Sequence, residues 1–169
     1  MLPRPPELRI GRNGWGTTDR LTVGGAAADV IRSGQGRPDD PILRKKVELA
    51  AMDLVHRWLI DEGHPASEIN DTSRNRPYDY EVGPERSPKL RVEVKGSVGA
   101  LGPVEVTAGE VESARHGGVA TTLAVVHRIS LTLDANGHWQ ASGGKLWPVE
   151  SWNPDDDSLT PKRYSYDPR

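Results

Sequence analysis

The stretch from Asp39 to Gly63 constrains the fold more than any other part of the chain. Asp39-Asp40-Pro41 offers a carboxylate at a helix N-cap and a proline at the first helical position. Apolar residues then recur at helical spacing at Leu43, Val47, Ala50, Ala51, Leu54 and Trp58. Gly63 supplies the stop. The spacing predicts a helix over roughly residues 41–62. On its wheel Glu48 falls amid Ala51, Met52, Val55 and Leu59, an unusual place for a carboxylate, because an unpartnered buried charge is costly. A flank glutamate paired with Arg44 is the plainer account of the same residue.

Strand-like pieces follow. Ser67–Asp71 is a weak one. Arg76–Val82 alternates, with Asp79 and Glu81 on one face and Tyr78 and Tyr80 on the other. Pro84–Pro88 forms a turn, and Leu90–Gly96 alternates again, with Leu90, Val92 and Val94 facing one way and Arg91, Glu93 and Lys95 the other. The two read as a hairpin. A brief strand at Val104–Val106 leads into Thr107-Ala108-Gly109-Glu110, a capping-box pattern that opens a helix to about His116, with Gly117-Gly118 ending it. Val119–Leu133 and His138–Val149 read as two further strands across the Asp134–Gly137 turn. The aromatic residues of the tail, from Trp152 to Tyr166, suit docking on the body. The order predicts a mixed α/β fold with a central sheet and helices at each end of the strand block.

At 169 residues the chain has the size of one domain. Mean hydropathy is -0.61, and no apolar run is long enough for a transmembrane helix, so no membrane association is expected. The first residues lack the apolar segment of a secretory signal. Cysteine is absent, which excludes disulfides, thiolate chemistry and Cys-based zinc sites and suits a cytoplasmic protein. Net charge is -2 but unevenly placed. Residues 1–46 carry nine Lys or Arg against five Asp or Glu, whereas residues 47–149 carry ten against fourteen. Eleven Gly or Pro fall within residues 1–38, without any sustained period, so that segment is expected to be a flexible basic arm ahead of a domain spanning 39–169. Gly11, Gly14 and Gly16 lack the strand and helix that a phosphate-cradling loop needs.

The chemistry concentrates at Asp79 and at Glu93-Val94-Lys95. Glu93 and Lys95, two apart on a strand, share a face, and Asp79 on the partner strand can share it too. Two carboxylates brought together repel, and a hard divalent cation such as Mg²⁺, which takes oxygen ligands and keeps several waters, relieves that repulsion. A lysine beside the metal can orient or deprotonate a water and stabilise developing negative charge. Such a set suits metal-assisted phosphodiester hydrolysis. Glu48 could add a carboxylate at the metal or behind it. The plainer alternative is a solvated strand face with cross-strand ion pairs.

Glu48-Leu49-Ala50-Ala51, Tyr78-Asp79, Val92–Ser97, Val106–Val111 and Ala124-Val125-Val126 together resemble the domain family named after the C-terminal region of the protein NO VEIN. Pro148–Trp152 and Leu159–Tyr166 resemble the ends of its bacterial members. The resemblance covers roughly residues 42–167. It implies a restriction-endonuclease-like core of the PD-(D/E)XK nuclease superfamily, and a setting in phage defence or restriction. By position it implies that Asp79 and Glu93 are metal ligands for Mg²⁺ or Mn²⁺, that Lys95 is the catalytic lysine, and that Glu48 is the helix carboxylate. Tyr78 stands directly before the aspartate, with Pro77 one residue earlier, a departure from the nominal motif that removes no ligand. Thr107 and Glu110 recur in the family, and their capping role accounts for them.

Other candidates carry less. His56, His64, His116, His127 and His138 lack metal-ligand spacing. Ser73, Ser97 and Ser113 lack a nucleophile elbow. Asp155-Asp156-Asp157 reads as a solvated turn. Two functions follow. The first is a Mg²⁺-dependent nuclease whose partner is nucleic acid, DNA before RNA. The second is a non-catalytic nucleic-acid- or protein-binding module of the same fold, working with a partner protein of a defence system. The carboxylate pair favours the first. The acidic body favours the second, because it can neutralise few phosphates.

Overall fold

The computed structural model describes residues 38–162. The proposed arm lies outside these residues except for Pro38, which is fully buried. Helix α1 spans Pro41–Asp61, close to the predicted bounds. Asp40 caps it: its Oδ1 accepts from the amides of Ile42 at 2.7 Å and Leu43 at 3.3 Å. Gly63, at φ +93°, turns the chain out of the helix in a conformation few other residues adopt. Asp40→Ala should therefore cost about 1 kcal/mol of stability, read as a lower urea midpoint with an unchanged m-value.

A 3-10 turn at Ala66–Glu68 leads into β1 (Ile69–Asp71), followed by β2 (Tyr80–Val82) and β3 (Leu90–Gly96). Helix α2 (Ala108–His116) then crosses to β4 (Ala120–His127), which lies parallel to β3. Three strands complete the described chain: β5 (Ser130–Leu133), β6 (Trp139–Ser142) and β7 (Lys145–Val149). The main sheet has the order β1-β2-β3-β4-β7, and all its pairs are antiparallel except β3–β4. β5 and β6 form a separate hairpin. The fold is thus the expected mixed α/β type, with a five-stranded sheet, a two-stranded sheet and two helices among the described residues.

The core lies between α1 and the sheet. Val47, Ala51, Val55 and Leu59 of the helix meet Tyr80, Val82, Val92, Val94, Ala124 and Val126. The hydroxyl of Tyr80 donates to the Met52 carbonyl at 3.1 Å, so the sheet is tied to the helix by a buried hydrogen bond as well as by apolar contact. Leu131 and Ala141 bring the small hairpin against the same cluster. Among the described residues no helix is long and apolar enough to cross a membrane.

Four expectations change. Val119–Leu133 is two strands, because Arg128 adopts φ 58° and breaks the run between β4 and β5. His138–Val149 is also two, divided at Gly143 and Gly144, both at positive φ. Val104–Val106 belongs to no ladder of the sheet and is no strand, since two apolar residues that alternate do not by themselves recruit a neighbouring strand. The predicted strand at Arg76–Val82 shortens to Tyr80–Val82, and its two tyrosines part. Tyr80 faces α1, whereas Tyr78 lies beneath the Arg91 guanidinium, 4.7 Å from the ring centroid, and donates to Glu81 Oε1 at 2.9 Å.

The described part of the tail is held by backbone groups: the Trp152 amide donates to Thr121 O at 2.7 Å, and the Pro154 carbonyl accepts from Arg115 Nε at 2.6 Å, while Tyr164 and Tyr166 lie outside the described residues.

A carboxylate and lysine cleft at the end of the central strand

Glu93 and Lys95 occupy the C-terminal half of β3 on the face away from α1. The antiparallel register pairs Tyr80 with Val92, and Asp79 lies one step further along. Its amide donates to the Val92 carbonyl at 3.0 Å, and its Oδ2 accepts from the Val94 amide at 2.8 Å. Asp79 is thus bonded to both chain neighbours of Glu93, which fixes the two carboxylates side by side. Lys95 Nζ is 2.7 Å from Glu93 Oε1 and 2.9 Å from Glu110 Oε2. Glu93 is 4% exposed, so the strand face is no solvated surface.

These groups line one cleft of about 250 Å³. Glu48 reaches it from α1. The helix face is not as the wheel suggested: Glu48 is exposed and holds Lys45 Nζ at 2.6 Å. The buried stripe runs through Leu43, Val47, Ala51 and Val55, four residues apart, and Glu48 sits beside it at the rim. Its partner is Lys45, not Arg44. Arg44 also lines the cleft.

Gly96 sets how closely α1 approaches. A Cβ there would lie 3.0 Å from both Ala51 Cβ and the Val47 carbonyl oxygen. The absent side chain lets the helix press on the strand right after Lys95, which carries Glu48 to the cleft. Gly96→Val should push the helix away and cost about 1–3 kcal/mol, seen as a lower denaturant midpoint.

The profile of the family described as Protein NO VEIN, C-terminal matches residues 47–136, more than half of the chain. The chain belongs to the NO VEIN C-terminal domain family. The matched span contains Glu48, Asp79, Glu93, Lys95 and Glu110. No curated protein and no solved structure matches the chain.

Electrostatics in this NO VEIN C-terminal domain follow from burial. Burial pushes the Glu93 carboxyl up to about 8, against the pull of Lys95 and with the help of the Asp79 charge. Burial likewise raises Asp79, although the Val94 amide and Lys95 oppose it. Burial disfavours the Lys95 ammonium, but Glu93 and then Glu110 outweigh it and hold its pKa above the ordinary value. Lys95 is therefore a cation at neutral pH, suited to donating hydrogen bonds and not to taking a proton from water.

Lys95 thus bridges Glu93 and Glu110, with Asp79 on the same cleft. Among the described residues no three acidic or histidine side chains converge as a ready metal-binding group. Asp79 and Glu93 offer a two-carboxylate set of hard oxygen donors, which fits an ion that keeps several of its waters.

Glu110, which the sequence assigns to capping alone, is also a residue of the cleft. Its amide donates to Thr107 Oγ1 at 3.2 Å, and its own Oε2 accepts from the Thr107 amide at 2.8 Å, so the expected capping box is present. The same oxygen also takes Lys95. The capping motif explained the residue fully, and nothing in the local pattern showed that its carboxylate also faces β3.

Proposed function

We propose that this domain is a Mg²⁺- or Mn²⁺-dependent nuclease of restriction-endonuclease-like fold, acting on DNA in a phage-defence or restriction setting. The observation that carries this reading is the convergence of Asp79, Glu93 and Lys95 on one cleft, with Asp79 bonded on either side of Glu93. The element order α1-β1-β2-β3-α2-β4, with β3 and β4 parallel, supports it, since a PD-(D/E)XK core is what the sequence resemblance implies.

In this reading Asp79 and Glu93 would hold the metal, which would supply Lewis-acid stabilisation of a phosphoryl oxygen and lower the pKa of a water. Lys95, as an ammonium, orients the attacking water and offsets negative charge gathering on the phosphate. Water adds to phosphorus and gives up a proton to solvent, one P–O ester bond breaks, and the leaving oxygen takes up a proton from solvent and departs as an alcohol. Glu48 stands at the rim with Lys45, where it would add a carboxylate behind the two ligands.

The test is cleavage of supercoiled and linear duplex DNA, single-stranded DNA and RNA with Mg²⁺ or Mn²⁺. Metal-dependent cleavage abolished by chelation is expected. Calorimetry that finds no divalent-ion binding dependent on Asp79 and Glu93, with or without nucleic acid, would overturn the reading and favour the binding module.

A further inference from the structure

We infer that Glu110 is the positioning residue for Lys95, seating its ammonium independently of Glu93. The inference deepens the nuclease reading, on which the role of Lys95 rests. One oxygen, Glu110 Oε2, joins the first turn of α2 to β3: it accepts from the Thr107 amide at 2.8 Å and from Lys95 Nζ at 2.9 Å. A glutamate serving only as a cap needs the first of these bonds alone. Here its side chain is 14% exposed, turned into the cleft and not out to water.

The arrangement answers a problem set by Glu93. That carboxylate both pairs with Lys95 and is the group a metal would engage. A lysine held by Glu93 alone would lose its seat whenever Glu93 turned to a cation. Glu110 keeps a second, fixed acceptor on the ammonium, and the Thr107 backbone fixes Glu110 in turn. Lys95 thus stays aimed at the cleft through a contact that metal binding does not remove.

Capping and seating can be separated. Glutamine serves the capping box as glutamate does, so Glu110→Gln keeps the cap while removing the charge from Lys95. Thr107→Ala removes the Oγ1 cap and leaves the backbone N–H that steadies Glu110. The readout is the ¹H–¹⁵N signal of the Lys95 ammonium in protein labelled at its six lysines, assigned by its loss in Lys95→Arg. An ammonium held by two carboxylates, one buried and one half-buried, exchanges its protons slowly and gives a sharp signal. Glu110→Gln should keep the melting temperature near wild type and broaden that signal beyond detection. Thr107→Ala should lower the melting temperature and keep the signal. In cleavage, Glu110→Gln should lower kcat by roughly 10-fold or more with KM little changed, the usual scale for a group that orients a functional neighbour. A Lys95 signal that stays sharp in Glu110→Gln overturns the inference, whether or not the protein cleaves nucleic acid. Absence of cleavage by the wild type with the signal lost in Glu110→Gln overturns the nuclease reading and leaves the seating of Lys95 established.

Discussion

Lys95→Ala is expected to fold like the wild type and to cleave at least ~100-fold more slowly, the scale of a positioned electrostatic group in a water-poor site. The side chain belongs to the cleft and not to the apolar core, so far-ultraviolet circular dichroism should be native. On the proposed nuclease role the loss should fall on kcat, because the ammonium's contact with a phosphate would strengthen as charge develops. Removing it also leaves Glu93 and Glu110 facing each other without the cation now between them. A modest fall in stability at alkaline pH should accompany the kinetic loss, and Lys95→Arg should restore the stability better than the rate, since a planar guanidinium cannot reproduce the point contact. Equal residual cleavage by wild type and Lys95→Ala would trace the activity to a contaminant and end the proposal.

Glu93→Gln should stabilise the metal-free protein while abolishing its response to Mg²⁺. The sign follows from linkage. The folded-state pKa of Glu93 lies near 8, above its ordinary value of 4.5. Between those values the folded state binds more protons than the unfolded chain, so stability falls as pH rises from about 4.5 through about 8 and levels off beyond. Glutamine removes that dependence, and Lys95 keeps Glu110 as a partner. The gain should be absent near pH 4.5 and reach about 1–2 kcal/mol at pH 9, an order-of-magnitude expectation from the cost of charging a buried carboxyl. On the proposed metal role, divalent metal should act in the opposite sense, raising the melting temperature of the wild type by binding the folded state alone, and not that of the variant. Thermal melts at several pH values, with and without Mg²⁺, check both. A variant that melts below the wild type at pH 9 would show that the Lys95 pairing outweighs the burial cost.

The parts of the fold legible in the sequence are those whose cause is local. Asp40-Pro41 and Gly63 mark the ends of α1 because capping chemistry and positive φ act within a few residues. The turn at Asp134–Gly137 is legible for the same reason: Asp134 Oδ1 takes the amides of Asn136 and His138, and Gly137 supplies φ +77°. The break at Arg128 was not legible, because an arginine at φ 58° carries no mark of its conformation; the neighbouring backbone enforces it, with the Arg128 amide donating to Gly99 across the fold. Asp79, Glu93 and Lys95 could be paired from alternation and a hairpin turn. The depth of Glu93 could not, since burial of a charged strand face depends on what crosses over it, here α2 and the loop before it. Glu48 shows the reverse error: its wheel neighbours Ala51, Met52, Val55 and Leu59 are buried, whereas Glu48, one turn nearer the helix start, stands at the cleft rim, which a wheel cannot show because it collapses the helix axis.

Helix α2 contains no buried residue. Its described tethers are polar: Lys95 on Glu110 at its start, Arg91 Nη1 on the Gly117 carbonyl at 3.0 Å just past its end, and Arg115 on Pro154 and Asp156. A helix fastened by cations in place of a greasy seam answers to ionic strength more than to temperature. It can also detach while the core under α1 stays shut, a sub-global opening with its own free energy. Amide hydrogens of Val111–His116 should then trade with deuterium well before those of Val47–Leu59, and salt should widen that gap. Because one of its fasteners is the cleft lysine itself, the docked fraction of this helix and the competent fraction of the site become a single population.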